Sequence, residues 1–117
     1  MSDQQLLELA ALAVGMPAPY DEHGIFNAWV GDPVHGHWWN PLEDDGDALR
    51  LAMALELGVV CKRGSDPYEK NRSVATDPYR VDQLRIVEPH RGKPEYATRR
   101  AIVRAAAEIG KAMQEKN

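Results

Sequence analysis

Two groups of side chains have the types and the spacing of a ligand-binding site, and the first is aromatic. Trp38 and Trp39 are adjacent and are followed by Asn40. Neighbouring side chains of an extended chain point to opposite sides, so we expect one indole in the core and the other outside. An exposed indole can stack on a flat group such as a nucleobase, which is worth about 1–3 kcal/mol per base. The alternative is that both rings are packing anchors, because aromatic side chains dominate core energetics.

The second group consists of arginines. Arg99, Arg100 and Arg104 lie near the start of the last predicted helix, where a cation opposes the helix dipole at a cost of roughly a few tenths of a kcal/mol. Residues kept in such a position are candidates for anion binding, since a guanidinium matches a phosphate with two parallel hydrogen bonds. The alternative is that these arginines are merely solvated. If they lie near the tryptophans, the site combines an aromatic platform with a phosphate clamp.

Metal binding and carboxylate chemistry have weaker signatures. His35 and His37, near Asp32 and the acids of 43–47, offer imidazole and carboxylate ligands to a divalent ion. They lack the His-Glu-x-x-His spacing of a zinc helix, however, and solvated loop histidines explain them as well. The carboxylates of 44–47 could act as a hydrolytic pair, but capping of a helix accounts for them without a substrate. We therefore expect no metal and no cofactor.

Nucleophilic catalysis also has little support. Cys61 is the only cysteine and lies in a predicted strand between Val60 and Lys62. Free cysteines are commonly buried and inert, so a small core residue is the expected identity. One cysteine also excludes an intramolecular disulfide and a zinc site built of cysteines. We expect no catalytic residues in this chain.

Composition and charge indicate one globular domain, spanning residues 1–117. The chain is 44% hydrophobic and 27% charged, unlike a disordered segment. Residues 1–60 carry ten acids and one base, whereas residues 61–117 carry eight acids and thirteen bases. The halves either fold against one another or leave a basic patch for an anion or a protein partner. The net charge of −4 argues against general DNA binding.

Hydrophobic periodicity and capping signals predict an α+β fold. A capping-box pattern at Ser2 and Gln5 begins a helix over 3–14, and a strand is expected at 24–30, followed by a loop over 31–43. A helix is expected to start at the acids Asp44, Asp45 and Asp47, and its part from Ala48 to Leu57 is apolar almost all round, which predicts burial on more than one side. Strands follow at 59–62, 72–76 and 83–88, before a long helix from Pro94 to the end.

The predicted order is therefore α-β-α-β-β-β-α, a small, mainly antiparallel sheet flanked by helices. No glycine-rich nucleotide-binding fingerprint is present in the sequence. The N-terminal stretch has no basic region ahead of its apolar residues, and nowhere do about 18 apolar residues run together, so neither a secretory signal nor a membrane span is expected. A cytoplasmic location follows from these expectations.

Two stretches resemble a known family. "WNPLEDDGDALRLA" (39–52) and "ATRRAIVRAAAEIGKAM" (97–113), together about a quarter of the chain, are similar to small proteins of tailed bacteriophages and prophages grouped as the phage ABA sandwich domain. The resemblance implies a helix-sheet-helix sandwich and a phage or prophage origin. It implies no catalytic residues.

The leading functional expectation is a non-enzymatic counter-defence protein in the host bacterial cytoplasm. It would sequester a nucleotide-derived immune signal, either a cyclic oligonucleotide or an ADP-ribose derivative. The expected ligand-binding residues are Trp38, Trp39, Asn40, Arg99, Arg100 and Arg104. Sequestering proteins commonly build their sites between subunits, so a symmetric homo-oligomer is also expected. Two alternatives stay open: an inhibitor or adaptor that binds a host protein, and a metal-dependent hydrolase of nucleotides.

Overall fold

The computed structural model describes residues 1–64 and 71–116 of the chain. The elements in this part are α1 (Asp3–Ala13), β1 (Trp29–Val30), β2 (His37–Trp38), α2 (Asp45–Leu55), β3 (Gly58–Lys62), β4 (Arg72–Asp77), β5 (Leu84–Pro89) and α3 (Pro94–Glu115). β1 and β2 form one antiparallel pair, and β3, β4 and β5 form an antiparallel sheet in that order. The α+β class and the antiparallel pairing expected from the sequence are confirmed.

Helix α1 begins where the capping box predicts. The Ser2 hydroxyl accepts a hydrogen bond from the Gln5 backbone N–H at 3.1 Å, and the Gln5 side chain accepts one from the Ser2 backbone N–H at 2.8 Å. Two backbone donors that have no partner within the helix are thereby satisfied. The buried face of α1 carries Leu6, Leu7, Ala10 and Ala11, and this face packs against α3.

The long helix α3 is the central element of the fold. α1 and α2 pack against it, and so do β4 and β5. Small residues make the close approach of α1 possible: a Cβ atom on Gly110 would overlap the backbone carbonyl of Leu9. The main core lies between the three helices and is built from residues such as Leu7, Leu51, Val103 and Ile109. One face of β4, with Ser73, Ala75 and Asp77, is buried.

Helix α2 differs from the expectation that it is covered on more than one side. Leu49 and Met53 are 60% and 67% exposed. The apolar residues of its inner face, among them Leu51 and Leu55, are buried in the core that includes α3. Apolar residues all round this helix therefore mark an uncovered apolar surface in the described chain, and the prediction of central burial is wrong.

The segment around the tryptophans is more ordered than the sequence predicts. The strand expected at 24–30 is reduced to β1, with a single bridge between Tyr20 and Phe26 ahead of it. The stretch 31–43, expected as a loop, contains β2, whose Trp38 pairs with Trp29. Gly36 makes this short hairpin possible, because a Cβ atom there would overlap the Val30 carbonyl. Strands of two residues are too short to produce an alternating pattern, which explains the missed element.

None of the helices in residues 1–64 and 71–116 is both long enough and apolar enough to cross a membrane.

Candidate functional site

The two adjacent tryptophans point to opposite sides, as expected for extended backbone. Trp39 is 5% exposed and lies in the main core, whereas Trp38 is 53% exposed. The Trp38 ring contacts the Trp29 ring edge-on, with ring centroids 5.1 Å apart, and the Phe26 ring at 5.9 Å. Trp39 therefore presents no stacking surface. Of the two, only Trp38 offers an indole to a ligand.

Asn40 serves to shape the loop before α2. Its backbone N–H donates to Asp47 Oδ2 at 2.9 Å, and its side-chain oxygen accepts a hydrogen bond from the Leu42 backbone N–H at 3.1 Å. Asp47 also accepts a hydrogen bond from Arg50 Nη2, and His37 Nε2 lies 2.8 Å from Asp47 Oδ1. Burial by itself raises the pKa of the Asp47 carboxyl, but the bonds to His37, Arg50 and the Asn40 amide outweigh it, so that pKa lies below its ordinary value.

The three arginines of α3 are joined to carboxylates of other elements. Arg99 Nη1 lies 2.6 Å from Asp45 Oδ1, and Arg104 Nη1 lies 2.6 Å from Glu88 Oε1. Arg100 Nη1 contacts Asp3 Oδ1 at 3.1 Å and its Nε lies 3.5 Å from Glu88 Oε1. Asp3 and Asp45 belong to the acidic half of the sequence. Two of the arginines therefore tie the oppositely charged halves together, which accounts for cations at an unfavourable helix position.

The predicted platform and clamp do not meet. The ring contacts of Trp38 are to Trp29 and Phe26, whereas Arg99 and Arg100 line two clefts that include no tryptophan among their described lining residues. The structure thus separates the sequence-predicted site residues into a buried Trp39, a structural Asn40, an exposed Trp38 and paired arginines.

The cleft that Arg100 lines, called the basic cleft here, lies where β5 leads into α3. It has a volume of about 600 Å³. Its lining residues are Asp3, Glu88, Pro89, His90, Arg91, Lys93, Tyr96 and Arg100. Within residues 1–64 and 71–116, the side chains of Arg91 and Lys93 have no ion pair and no hydrogen bond. Tyr96 is exposed, and no side chain caps the beginning of α3 at Lys93.

The second, the apolar cleft, lies between α2, β3 and the first turns of α3 and has a volume of about 420 Å³. Ala48, Leu49, Val59 and Ile102 contribute to its walls, and Cys61 also lines it. Cys61 is exposed, so the expectation of a buried core cysteine is wrong. The physical reason is that α3 packs mainly on β4 and β5 and covers little of β3, which is one of the two edge strands of its sheet.

The two loop histidines bind different acids. His35 Nδ1 lies 3.1 Å from Asp32 Oδ1, and His37 Nε2 contacts Asp47. In the part of the chain that the structure describes, no three or more histidine, cysteine or carboxylate side chains group in a way that could hold a metal ion.

Apart from Arg100, the residues of the basic cleft were missed by sequence reasoning, although a signal was present. The stretch "PHRGKPEY" (89–96) places three basic or titratable residues directly before a helix that starts with proline and has no Ser, Thr, Asp or Asn to cap it. The missing capping residue indicates that the backbone N–H groups at the start of this helix lack a side-chain partner beside Arg91 and Lys93. No protein-family model, no curated protein and no solved structure matches the chain.

Proposed function

We propose that this chain is a non-enzymatic binding protein for a small, nucleotide-derived anion, and that the basic cleft is its binding site. The observation that carries the proposal is the juxtaposition of unpaired Arg91 and Lys93, an uncapped start of α3 and the exposed Tyr96 ring. The cleft volume of about 600 Å³ falls within the range of small-molecule sites.

Each part of the cleft matches one part of a nucleotide. A phosphate at the start of α3 would accept hydrogen bonds from free backbone N–H groups and meet the positive end of the helix dipole. Arg91 and Lys93 would add two cations to that phosphate site. The Tyr96 ring supplies a flat face on which a base can stack.

The acids in the cleft narrow the ligand class. Asp3 and Glu88 line the basic cleft and bind Arg100. Carboxylates repel further phosphates but accept hydrogen bonds from ribose hydroxyls and base amino groups. Cyclic oligonucleotides and ADP-ribose derivatives carry few phosphates and many hydroxyl and amino donors. The cleft therefore favours these ligands over a polyphosphate.

Sequestration would give this binding a purpose. The resemblance of residues 39–52 and 97–113 to phage proteins implies a phage origin, and a phage protein acts in a host cell that has immune systems against phages. A protein that binds a nucleotide-derived immune signal without altering it would lower the free concentration of that signal in the host cytoplasm. In such a role the chain acts as a counter-defence protein.

A binding measurement with matched variants tests the proposal. Calorimetry and thermal unfolding against cyclic dinucleotides, cyclic trinucleotides and ADP-ribose derivatives should yield one ligand that raises the unfolding midpoint and is recovered unchanged. The double variant R91Q/K93Q should lose that ligand, and K111Q, which removes an exposed cation of α3 outside the cleft, should keep it. Altered ligand would identify an enzyme, and absence of binding throughout the panel would end the nucleotide proposal.

A second candidate function is supported by the uncovered apolar surface of α2 and β3. Leu49 and Met53 of α2 and Val59 of β3 are exposed, Leu49 and Val59 line the same cleft, and exposed apolar patches commonly mark protein-binding surfaces. This observation favours an inhibitor or adaptor that docks on a protein.

Sedimentation measurements on the wild type and on L49K/M53K test what covers this surface. A dimer that dissociates in the variant would assign the surface to a second copy and would agree with the expected homo-oligomer. A wild type that is monomeric would direct the search to a host protein, whose complex the same variant should weaken. A host complex unaffected by L49K/M53K would contradict this second candidate.

A further inference from the structure

Strand β3 has hydrogen-bond partners on one side only. It pairs with β4 from Gly58 to Lys62 and is the last strand in the order β3-β4-β5. In the part of the chain that the structure describes, none of its backbone groups bonds to anything outside this sheet. Every residue of the strand is exposed. The outer edge therefore presents a row of unpaired backbone N–H and C=O groups, which another extended chain can satisfy.

The other edge of the sheet is protected against such pairing, whereas β3 is not. β5 carries Arg85 and Glu88 and ends in Pro89, which has no backbone N–H. Charged residues and proline are common protection of an edge strand. β3 has a single charge, on its last residue Lys62, and an apolar centre. Of the two edges, β3 is the one that is open to the addition of a strand.

The two faces of β3 present different side chains beside this edge. Val59 and Cys61 line the apolar cleft and lie opposite residues of the buried face of β4. Side chains alternate along a strand, so Val60 and Lys62 belong to the opposite face. A strand added at this edge would therefore have one row of side chains in the cleft and the other row on the face of Lys62.

The apolar cleft lies where the inward row of side chains would go. α3 packs mainly on β4 and β5, and α2 packs beside α3. Packed helices lie about 8–10 Å apart and neighbouring strands about 4.8 Å apart, so one helix covers about two strand positions. α2 thus has room beneath it for β3 and for one further strand. The cleft of about 420 Å³, with Ala48, Leu49 and Val59 in its walls, is the space that the inward side chains would fill.

The charges on the two faces select the residues of such a strand. On the cleft side, Asp45 is bound to Arg99, and Glu95 adds a carboxylate to an otherwise mainly apolar wall, so the inward side chains must be apolar. On the opposite face, Lys62 has no ion pair within the described residues. The register of the three strands puts no acidic residue on that face. The outward side chains are therefore favoured when they are Asp or Glu.

We propose that the edge of β3 takes up an extended segment of a partner protein as a fourth strand, and that apolar side chains alternate with acidic ones in this segment. The apolar side chains fill the cleft under α2, the acidic ones lie beside Lys62, and backbone hydrogen bonds to β3 hold the segment. A second copy of the chain fits this place less well, because a two-fold pairing of β3 with β3 brings both α2 helices over the same two strands. The inference rests on the second candidate function, for which it names the partner's chemistry, and it is independent of the basic cleft.

Designed peptides test the addition of a strand. Four blocked peptides of eight residues alternate Glu with one apolar residue, which is Val, Ile, Leu or Phe, and four matched peptides carry Lys in place of Glu. Nitrogen-15 NMR of the full chain follows each backbone amide up to about 2 mM peptide, a concentration that detects weak binding. We expect at least one Glu peptide to shift the amides of β3 and to slow their hydrogen exchange. Its Lys counterpart should bind about fivefold more weakly.

Methylation of the peptide backbone separates strand pairing from simple apolar binding. In an added strand, the N–H groups of alternate residues point to β3 and those of the other residues point away. Methylating the amide of a central apolar residue in one peptide, and that of a central Glu in another, should therefore have unequal effects. One of the two should lose about tenfold in affinity, and the other should bind like the unmethylated peptide.

Matched variants of the protein locate the binding. L49K places a charge in the wall of the cleft and should weaken peptide binding by about tenfold or more. M53K, at an exposed position of the same helix outside the cleft, should leave binding unchanged. K62Q should reduce the preference for Glu over Lys peptides, whereas K111Q, which removes an exposed cation of α3, should keep it.

Four results would overturn the proposal. The first is that no Glu peptide affects β3, the second is that the two methylations have equal effects, and the third is a host complex that M53K disrupts and L49K does not. The fourth is a dimeric wild type whose β3 amides are protected before any peptide is added, because a second copy would then occupy the edge. The second candidate function fails on a different observation, namely a host complex that persists in L49K/M53K.

Discussion

Asp47 and His37 meet at the start of α2, where His37 Nε2 lies 2.8 Å from Asp47 Oδ1. The carboxylate is 1% exposed and also binds Arg50 and the backbone N–H of Asn40. It therefore joins β2, the tryptophan-containing loop and α2 through one buried charge. A buried carboxylate is tolerable only when hydrogen-bond donors surround it.

Replacing this carboxylate by an amide should destabilise the fold. D47N removes the charge that His37 and Arg50 share, and we expect the free energy of unfolding to fall by about 3 kcal/mol. Urea denaturation followed by far-UV circular dichroism measures the change. E43Q is the control, since Glu43 is an exposed acid of the same loop and should change the stability by less than about 0.5 kcal/mol. Equal stability of the two variants would show that the network contributes nothing.

The Asp47 carboxylate should make the stability of the fold depend on pH. The pKa of Asp47 lies below its ordinary value in the folded protein, whereas in the unfolded chain it is about 3.9. Its contribution is therefore complete above about pH 4 to 5 and is lost as the pH falls through the folded pKa. Thermal unfolding midpoints between about pH 7 and pH 2.5 should drop at the acid end, and the drop should be smaller in D47N. A parallel pair of curves would contradict the assignment to Asp47.

Much of this local structure follows from the sequence, but its arrangement in space does not. The Ser2 and Gln5 pattern predicts the start of α1 because a capping box is satisfied by residues three apart. Which sides of α2 are covered depends on elements far along the chain, so Leu49 was expected inside and lies outside. The pairing of Arg99 with Asp45 is also a long-range contact. The division of charge between the two halves of the sequence indicates that ion pairs form between them, but it does not say which arginine binds which carboxylate.

The two tryptophans should differ sharply in their contribution to stability. Trp39 is buried in the core, so W39A should cost about 3–5 kcal/mol. W38A removes an exposed ring and its contacts to Trp29 and Phe26, and roughly 1 kcal/mol is expected. Denaturant unfolding of both variants measures the difference. A larger loss in W38A than in W39A would contradict the orientation of these two rings.

Adding one methyl group to α3 should be harmful where α1 approaches. Alanine is a better helix former than glycine by about 1 kcal/mol, so G110A would stabilise an isolated helix. In the folded protein the new Cβ atom overlaps the Leu9 carbonyl, and the forced separation of α1 from α3 should give a net loss of about 1–3 kcal/mol. K111A, at the exposed neighbouring position, serves as the control for propensity alone. A stabilised G110A variant would show that the helices have room to spare.

The contact between Leu9 and Gly110 also bears on how the protein is made. Among the described elements α1 is synthesised first, but its apolar face packs on α3, which is synthesised last. At about 5–20 residues per second, α1 waits several seconds for its partner. During that interval Leu6 and Leu7 lack their native cover. The hairpins β1–β2 and β3–β4, whose strands are close in sequence, can form meanwhile, so we expect α1 to dock last and to be the segment that chaperones meet exposed.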